Sequence, residues 1–338
     1  MPVALDNEED VVRLIASLAC KGGDELRVGI GDDCAVLSLG GHLWCVTTDL
    51  MVEGVHFDLA YFTPYDLGRK VMAANLSDLA AMGADPRWGF LSLGMGPKPD
   101  SAFLRGVIRG LSDLGKQYGL SLAGGDTVRS PALILNLCIM GLAQGQGPLL
   151  RSGARPGDAI CVTGNLGASA AGLAWLQQGG EADDPAALAA VQAHLRPTPR
   201  VAAGRALAQS GRAHAMMDLS DGLATDLARM ALASQVGAEV LAERLPLDRT
   251  TRELAQRLGA DPLEWALSGG EDFELLFTCD PAEVELLAEI VEEAEAGLTV
   301  TRVGRVTRGT GVELVGPDKQ RRQIAFSGFD HFRAGQPE

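Results

Sequence analysis

The chain has 338 residues, 46% of them hydrophobic and 5% aromatic, and 29 Lys plus Arg against 44 Asp plus Glu give a formal net charge of −15. That length suits two domains of ordinary size, and the acidic balance excludes a phosphate backbone as a natural partner, with simple solubility as the bland reading of the charge. Six cysteines without a CxxC pair, an acidic N-terminus without a basic n-region, and a longest apolar run of only residues 132–143 point to no disulfide framework, no signal peptide and no membrane span, hence a cytoplasmic protein.

Helical and strand periods alternate, which implies an α/β chain. Residues 7–20 place Val11, Leu14, Ile15 and Leu18 on one helical face. "CAVLSL" and "LWCVTTDL" read as strands joined by the Gly40-Gly41 turn. Residues 64–82 form a long helix ended by Gly83, and Asp85-Pro86 turns into the strand "WGFLSLG". A second amphipathic helix spans 100–118, followed by the strands "LSLAGGDT" and "ALILNLCIMGLA". At "RSGARPGD" the chain turns polar, so the boundary is set there: residues 1–150, then 151–338. The second half opens with the strand "AICVTG", an Ala-rich helix over 166–178 and a hydrophilic insertion near 179–185.

The chemistry lies in recurrent carboxylates. "GIGDDCAVL" sets Asp32 and Asp33 between a glycine turn and an apolar run, and on an extended chain they face opposite ways. "TTDLMVEGVHF" closes a strand with Thr47, Thr48 and Asp49, with His56 seven residues on. In "VMAANLSDLAAMG" the helix is apolar nearly all round, so Asn75 and Asp78 share a buried face; an N-cap at Ser77 or Asp78 is the alternative. "GGDT" puts Gly125 and Asp126 in a glycine turn, which a plain β-turn also explains. "DLSDG" sets Asp218, Ser220 and Asp221 where a strand meets a helix, a place for caps and equally for ligands. "NLSDLAAM" and "DLSDGLAT" echo one another, and "SGGEDFELLF" adds Glu271 and Asp272. Oxygen ligands at 33, 49, 78, 126, 218 and 221 suit Mg²⁺, which lets an acidic protein hold a polyphosphate. No P-loop is present, and Gly29-x-Gly31 lacks the third glycine of a dinucleotide fingerprint.

These motifs, with "VTGNLG", "HLRPTPR" and the terminal "GFDHF", resemble the thiamine-monophosphate kinases, in that family's order and over about residues 28–332. The resemblance implies two α/β domains of α+β type, with the N-terminal sheets pairing into a β-barrel across a homodimer. It implies transfer of the γ-phosphoryl group of ATP to thiamine monophosphate, with several Mg²⁺ ions. By motif it makes Asp33, Thr47, Thr48, Asp49, Asp78, Asp126, Asp218 and Asp221 metal ligands. Phe103, Gly125, Asp126, Arg151 and Ser220 fall at nucleotide positions, and His56, Glu271 and Phe329 at substrate positions. It names no general base. The alternative is another ATP-using member of the superfamily, such as aminoimidazole ribonucleotide synthetase; "SGGEDFELLF" and "GFDHF" favour the thiamine kinase.

Overall fold

The computed structural model describes residues 8–19, 22–97 and 100–324. Helix α1 (Glu8–Leu18) leads into a six-stranded sheet of β1 (Leu26–Val28), β2 (Ala35–Leu39), β3 (His42–Val52), β4 (Ala84–Met95), β5 (Ser121–Arg129) and β6 (Ile134–Ala143), ordered β1-β2-β3-β6-β4-β5. Only β4 and β5 run parallel. The β2–β3 hairpin turns on Gly40 and Gly41, both at positive φ, as a two-residue hairpin loop requires.

Helices α2 (Pro64–Ala81) and α3 (Ser101–Gln117) pack together, and α2 covers one face of the sheet. Thr63 caps α2, its hydroxyl oxygen accepting from the Asp66 N–H at 3.1 Å, Pro64 fits the first turn, and Gly83 at positive φ follows the end. Asp100 caps α3 through the Phe103 N–H at 2.8 Å. The other face of the sheet keeps Leu50, Trp88, Phe90 and Val128 exposed, with Trp44 stacked on Trp88 at 5.2 Å.

The second sheet comprises β7 (Ala159–Thr163), β8 (Ala213–Asp218), β9 (Gly237–Leu241), β10 (Leu275–Cys279), β11 (Val300–Thr307), β12 (Gly311–Val315) and β13 (Arg321–Gln323). Its order is β13-β12-β9-β11-β7-β10-β8. Around it lie α4 (Ala168–Gln177), α5 (Leu188–Leu195), α6 (Val201–Ser210), α7 (Leu223–Ser234), α8 (Arg249–Leu258), α9 (Pro262–Ser268) and α10 (Val284–Ala294). Helix α6 crosses α2 so closely that a Cβ on Gly204 would stand 2.0 Å from the Ala80 carbonyl oxygen.

The two-sheet α/β architecture matches the sequence expectation, with two local corrections. Asp85 and Pro86 are not a turn: they open β4, where a bulge between Pro86 and Trp88 absorbs the proline. "GGDT" lies inside β5, not after it, because Gly125 at positive φ brings its Cα against the Leu91 carbonyl with no room for a side chain. Among the described residues no helix is long and apolar enough to cross a membrane.

Candidate active site

Three elements bring three carboxylates together. Asp33 precedes β2, Asp78 lies in the last turn of α2, and Asp218 ends β8; one oxygen of each lies within 4.8 Å of the others. Asp78 is inside the helix, which removes the N-cap reading. The two echoed segments do not repeat a geometry, since one is helix and the other a strand–turn–helix. They touch instead: the Ser77 hydroxyl donates to Asp218 Oδ2 at 2.6 Å.

Each carboxylate has a defined environment. Thr47 Oγ1 donates to Asp78 Oδ2 at 2.5 Å, and Arg151 donates to Asp33 Oδ1 from Nε (3.0 Å) and a terminal nitrogen (2.5 Å). The Asp32 carboxylate instead accepts the backbone N–H of Asp33 (3.0 Å) and of Arg151 (3.2 Å to the nearer oxygen), so it shapes the turn. Asp33 Oδ2 is buried without a hydrogen-bond partner. Burial, then the charges of Asp49, Asp218 and Asp33, pushes the Asp78 carboxyl far above the ordinary range. Burial and then Asp33 do the same to Asp218, and Asp33 is itself raised by burial against the pull of Arg151. An all-oxygen group of this kind, with an orphaned buried oxygen and carboxyls that resist ionising, fits a hard divalent cation.

A second acidic set adjoins the first. Asp49 is lifted to about 6 by burial and then by Asp221, and the Asp49 N–H donates to Asn75 Oδ1 at 3.3 Å. Asp226, fully buried, is lifted to about 7 by burial and then by Asp221, and accepts the Asp221 N–H at 3.0 Å. Arg229 bridges Asp221 and Asp226. Asp226 and Arg229 are absent from the sequence expectation, although an Asp and an Arg at i, i+3 in a largely apolar helix is a detectable signal.

The structure leaves some expected residues apart. Thr48 points to the opposite sheet face from Thr47 and donates to Asn136 Oδ1 at 3.0 Å. Asp126 pairs in register with Ser92 on exposed β5, three strands from Asp49, or about 14 Å at the usual strand spacing. Phe103 sits in the first turn of α3, outside the carboxylate group. Phe329 lies outside the described residues.

Glu271 and Ser220 are neighbours, the Glu271 N–H donating to the Ser220 carbonyl at 2.8 Å. His56 sits beyond β3, its Nδ1 accepting the Val52 N–H at 3.1 Å; its neighbour Phe57 packs edge-on against Phe62. Asp272, which the sequence groups with Glu271, is committed elsewhere: it accepts the Gly167 and Ser169 N–H groups at the start of α4. Lys70, fully buried, donates to Glu271 Oε2 at 2.7 Å and was detectable as a lone lysine in an apolar helix.

Comparison with known proteins follows the same division. Residues 31–143 match the model described as AIR synthase related protein, N-terminal domain, and 155–316 its C-terminal domain. A thiamine-monophosphate kinase of Escherichia coli (strain K12) is 42% identical over 91% of this chain and 93% of its own. The structure of AaThiL complexed with AMPPCP and TMP superposes with a TM-score of 0.82 at 31% identity, covering 98% of this chain and 99% of that one. The thiamine-monophosphate kinase of Stenotrophomonas maltophilia K279a gives 0.75 at 37% identity, over 90% and 94%.

Proposed function

This chain belongs to the thiamine-monophosphate kinase family, and from that premise we propose how its cleft performs the reaction. The reaction is ATP-dependent phosphorylation of thiamine monophosphate to thiamine diphosphate, with release of ADP. The observation that carries the mechanism is the convergence of Asp33, Asp78 and Asp218 from both halves of the chain.

The acceptor is a phosphate monoester with a second pKa of about 6, already anionic at neutral pH, so no general base is needed. The obstacle is bringing two anions into line. Asp33, Asp78 and Asp218, with Asp49, Thr47 and Asp221 alongside, would hold Mg²⁺. When bound, Mg²⁺ neutralises the polyphosphate charge that this acidic site would otherwise repel. Arg151, fixed on Asp33, adds a positive group at the same place, and Ser220 lies between two of the acids. His56 and Glu271 take the ring-bearing end of the substrate. Transfer is direct, so a chiral γ-phosphorus is expected to invert.

A homodimer completes this reading. The uncovered face of the N-terminal sheet, with its exposed apolar residues and open β5 edge, supports pairing into a barrel with a second copy. Gly125 and Asp126 lie on that edge, so their nucleotide and metal roles are assigned to the dimer, as is that of Thr48 on the same face. The two domains divide near Arg151, and the buried free thiols suit a reducing cytoplasm. The test supplies ATP, Mg²⁺ and thiamine monophosphate and follows thiamine diphosphate. Turnover of formylglycinamidine ribonucleotide, with no thiamine diphosphate formed, would overturn it in favour of the synthetase.

A further inference from the structure

Helix α2 carries a second functional group on the face that bears Ser77. Lys70 and Ser77 are seven residues apart, two helical turns, so both side chains leave in the same direction. Ser77 meets Asp218 and Lys70 meets Glu271, both from the C-terminal half. Lys70 stands eight residues from Asp78, or about 12 Å along the axis.

The environment of Lys70 is closed. Its side chain is 0% exposed, whereas Glu271 keeps 27%. The ammonium lies 5.0 Å from the centre of the Phe62 ring. His194 Nδ1 lies 3.3 Å from the same Glu271 oxygen, its ring is 5.5 Å from that of Phe62, and Ser169 Oγ is 3.2 Å from Nδ1. Lys70 and His194 therefore both contact one oxygen, Oε2. Burial alone would raise the Glu271 carboxyl; Lys70 and then His194 outweigh it and leave the group at about 2.

The backbone is equally constrained. Glu271 and Phe273 both hold positive φ, 65° and 50°, a conformation that side chains other than Gly adopt at a cost of about 1 kcal/mol or more. Asp272 between them is tied to the start of α4. A buried ion pair is a weak source of stability, and a lysine is almost never fully buried unless paired. The arrangement is accounted for by what it presents: an ionised carboxylate in a strained, over-determined loop, with its cation hidden and its own surface partly open.

We propose that Lys70 and His194 are positioning residues for substrate recognition, holding the Glu271 carboxylate toward the cationic, ring-bearing end of the phosphorylated substrate. This rests on the assignment of Glu271 to the substrate. Lys70, about 12 Å along the helix from Asp78, makes its ion pair with Glu271, so its effect on the substrate passes through Glu271.

The test compares Lys70→Met, Glu271→Gln and the double variant, measuring KM for thiamine monophosphate, KM for ATP, kcat and thermal midpoint. Lys70→Met is expected to raise KM for thiamine monophosphate at least tenfold and leave KM for ATP within twofold. The double variant is expected to match Glu271→Gln. A Lys70→Met enzyme within twofold of wild type for thiamine monophosphate, or raised equally for both substrates, overturns the proposal; so does a double variant in which the two effects multiply. If Lys70→Met does not fold, the double variant, which removes the stranded charge, decides by the same comparison. A Glu271→Gln enzyme that handles thiamine monophosphate normally overturns the underlying assignment as well, and a wild-type chain that forms no thiamine diphosphate fails earlier, at the function itself.

Discussion

Replacing Asp78 with Asn is expected to make the metal-free protein more stable and the enzyme inactive. Asn keeps the shape and still accepts the Thr47 hydroxyl, which now meets Asp78 Oδ2 at 2.5 Å. It removes one of three acids whose oxygens lie within 4.8 Å; at an effective dielectric of about 20, two such charges repel by about 3.5 kcal/mol. Burial and that repulsion raise the Asp78 and Asp218 carboxyls, and burial raises Asp33, so the native state holds protons there at a cost that grows with pH. Asp49 sits at about 6 and Asp226 at about 7, both above the unfolded value near 4. The native state thus binds protons that the unfolded chain has released, and stability without metal falls as pH rises from about 4 through about 7. Asp78→Asn removes the share of that fall that Asp78 itself contributes and gains up to about 3.5 kcal/mol at pH 8, or about 7 °C at roughly 2 °C per kcal/mol. Mg²⁺ at a hundred times its dissociation constant adds about 2.7 kcal/mol to the wild type and far less to the variant. Calorimetric scans from pH 5 to 8, with chelator or Mg²⁺, read both effects. A variant less stable than wild type at pH 8 without metal, or stabilised equally by Mg²⁺, refutes the reasoning.

Arg151→Met leaves the wholly buried Asp33 side chain without its guanidinium. Breaking such a pair costs about 3–5 kcal/mol, to be read as a lower urea midpoint; an unchanged midpoint would show that Arg151 does not support Asp33. Phe90→Glu puts a charge on the uncovered sheet face and is expected to weaken self-association about a hundredfold, on the order of 3 kcal/mol. Sedimentation tests the proposed dimer: wild type is expected to run as a dimer and the variant as a monomer, and a variant that remains dimeric at low micromolar concentration removes this face from the interface.

Much of the fold was legible because its signals are local. Helix α2 declares itself by Thr63, Pro64 and Gly83, α3 by Asp100, and the β2–β3 hairpin by paired glycines. The triad Asp33, Asp78 and Asp218 was legible as a set of acids in places where acids are costly. What the sequence does not carry is which face each side chain takes. Thr47 and Thr48 are adjacent, and strand alternation sends one to Asp78 and the other to Asn136. Glu271 and Asp272 look equivalent, yet one keeps an open surface and the other binds a helix start. Lys70, Asp226 and Arg229 carry a local signal, a charge in an apolar helix, but their roles follow from contacts that only the folded chain makes: Glu271 for Lys70, and Asp221 in the turn before α7 for the other two.

Helix α2 explains why the two halves must act as one body. It is apolar nearly all round because it lies between its own sheet and the second domain, where Gly204 lets α6 approach to backbone contact and a Cβ on Gly83 would stand 2.3 Å from the Ala208 methyl. Such a crossing, made of backbones and small side chains, leaves little freedom to slide. Among the polar residues that interrupt it, Lys70, Ser77 and Asp78 each meet a group brought by another element: Glu271, Asp218 and Thr47. A displacement of 1 Å at this crossing would part Ser77 from Asp218 and disturb the carboxylate group and Glu271 together. Bulk added at the crossing, as in Gly204→Val, is therefore expected to lower turnover and weaken binding of both substrates at once, in contrast to Lys70→Met, whose effect is confined to thiamine monophosphate. Equal loss toward both substrates in the first variant and selective loss in the second would separate the frame of the site from the group that reads its substrate.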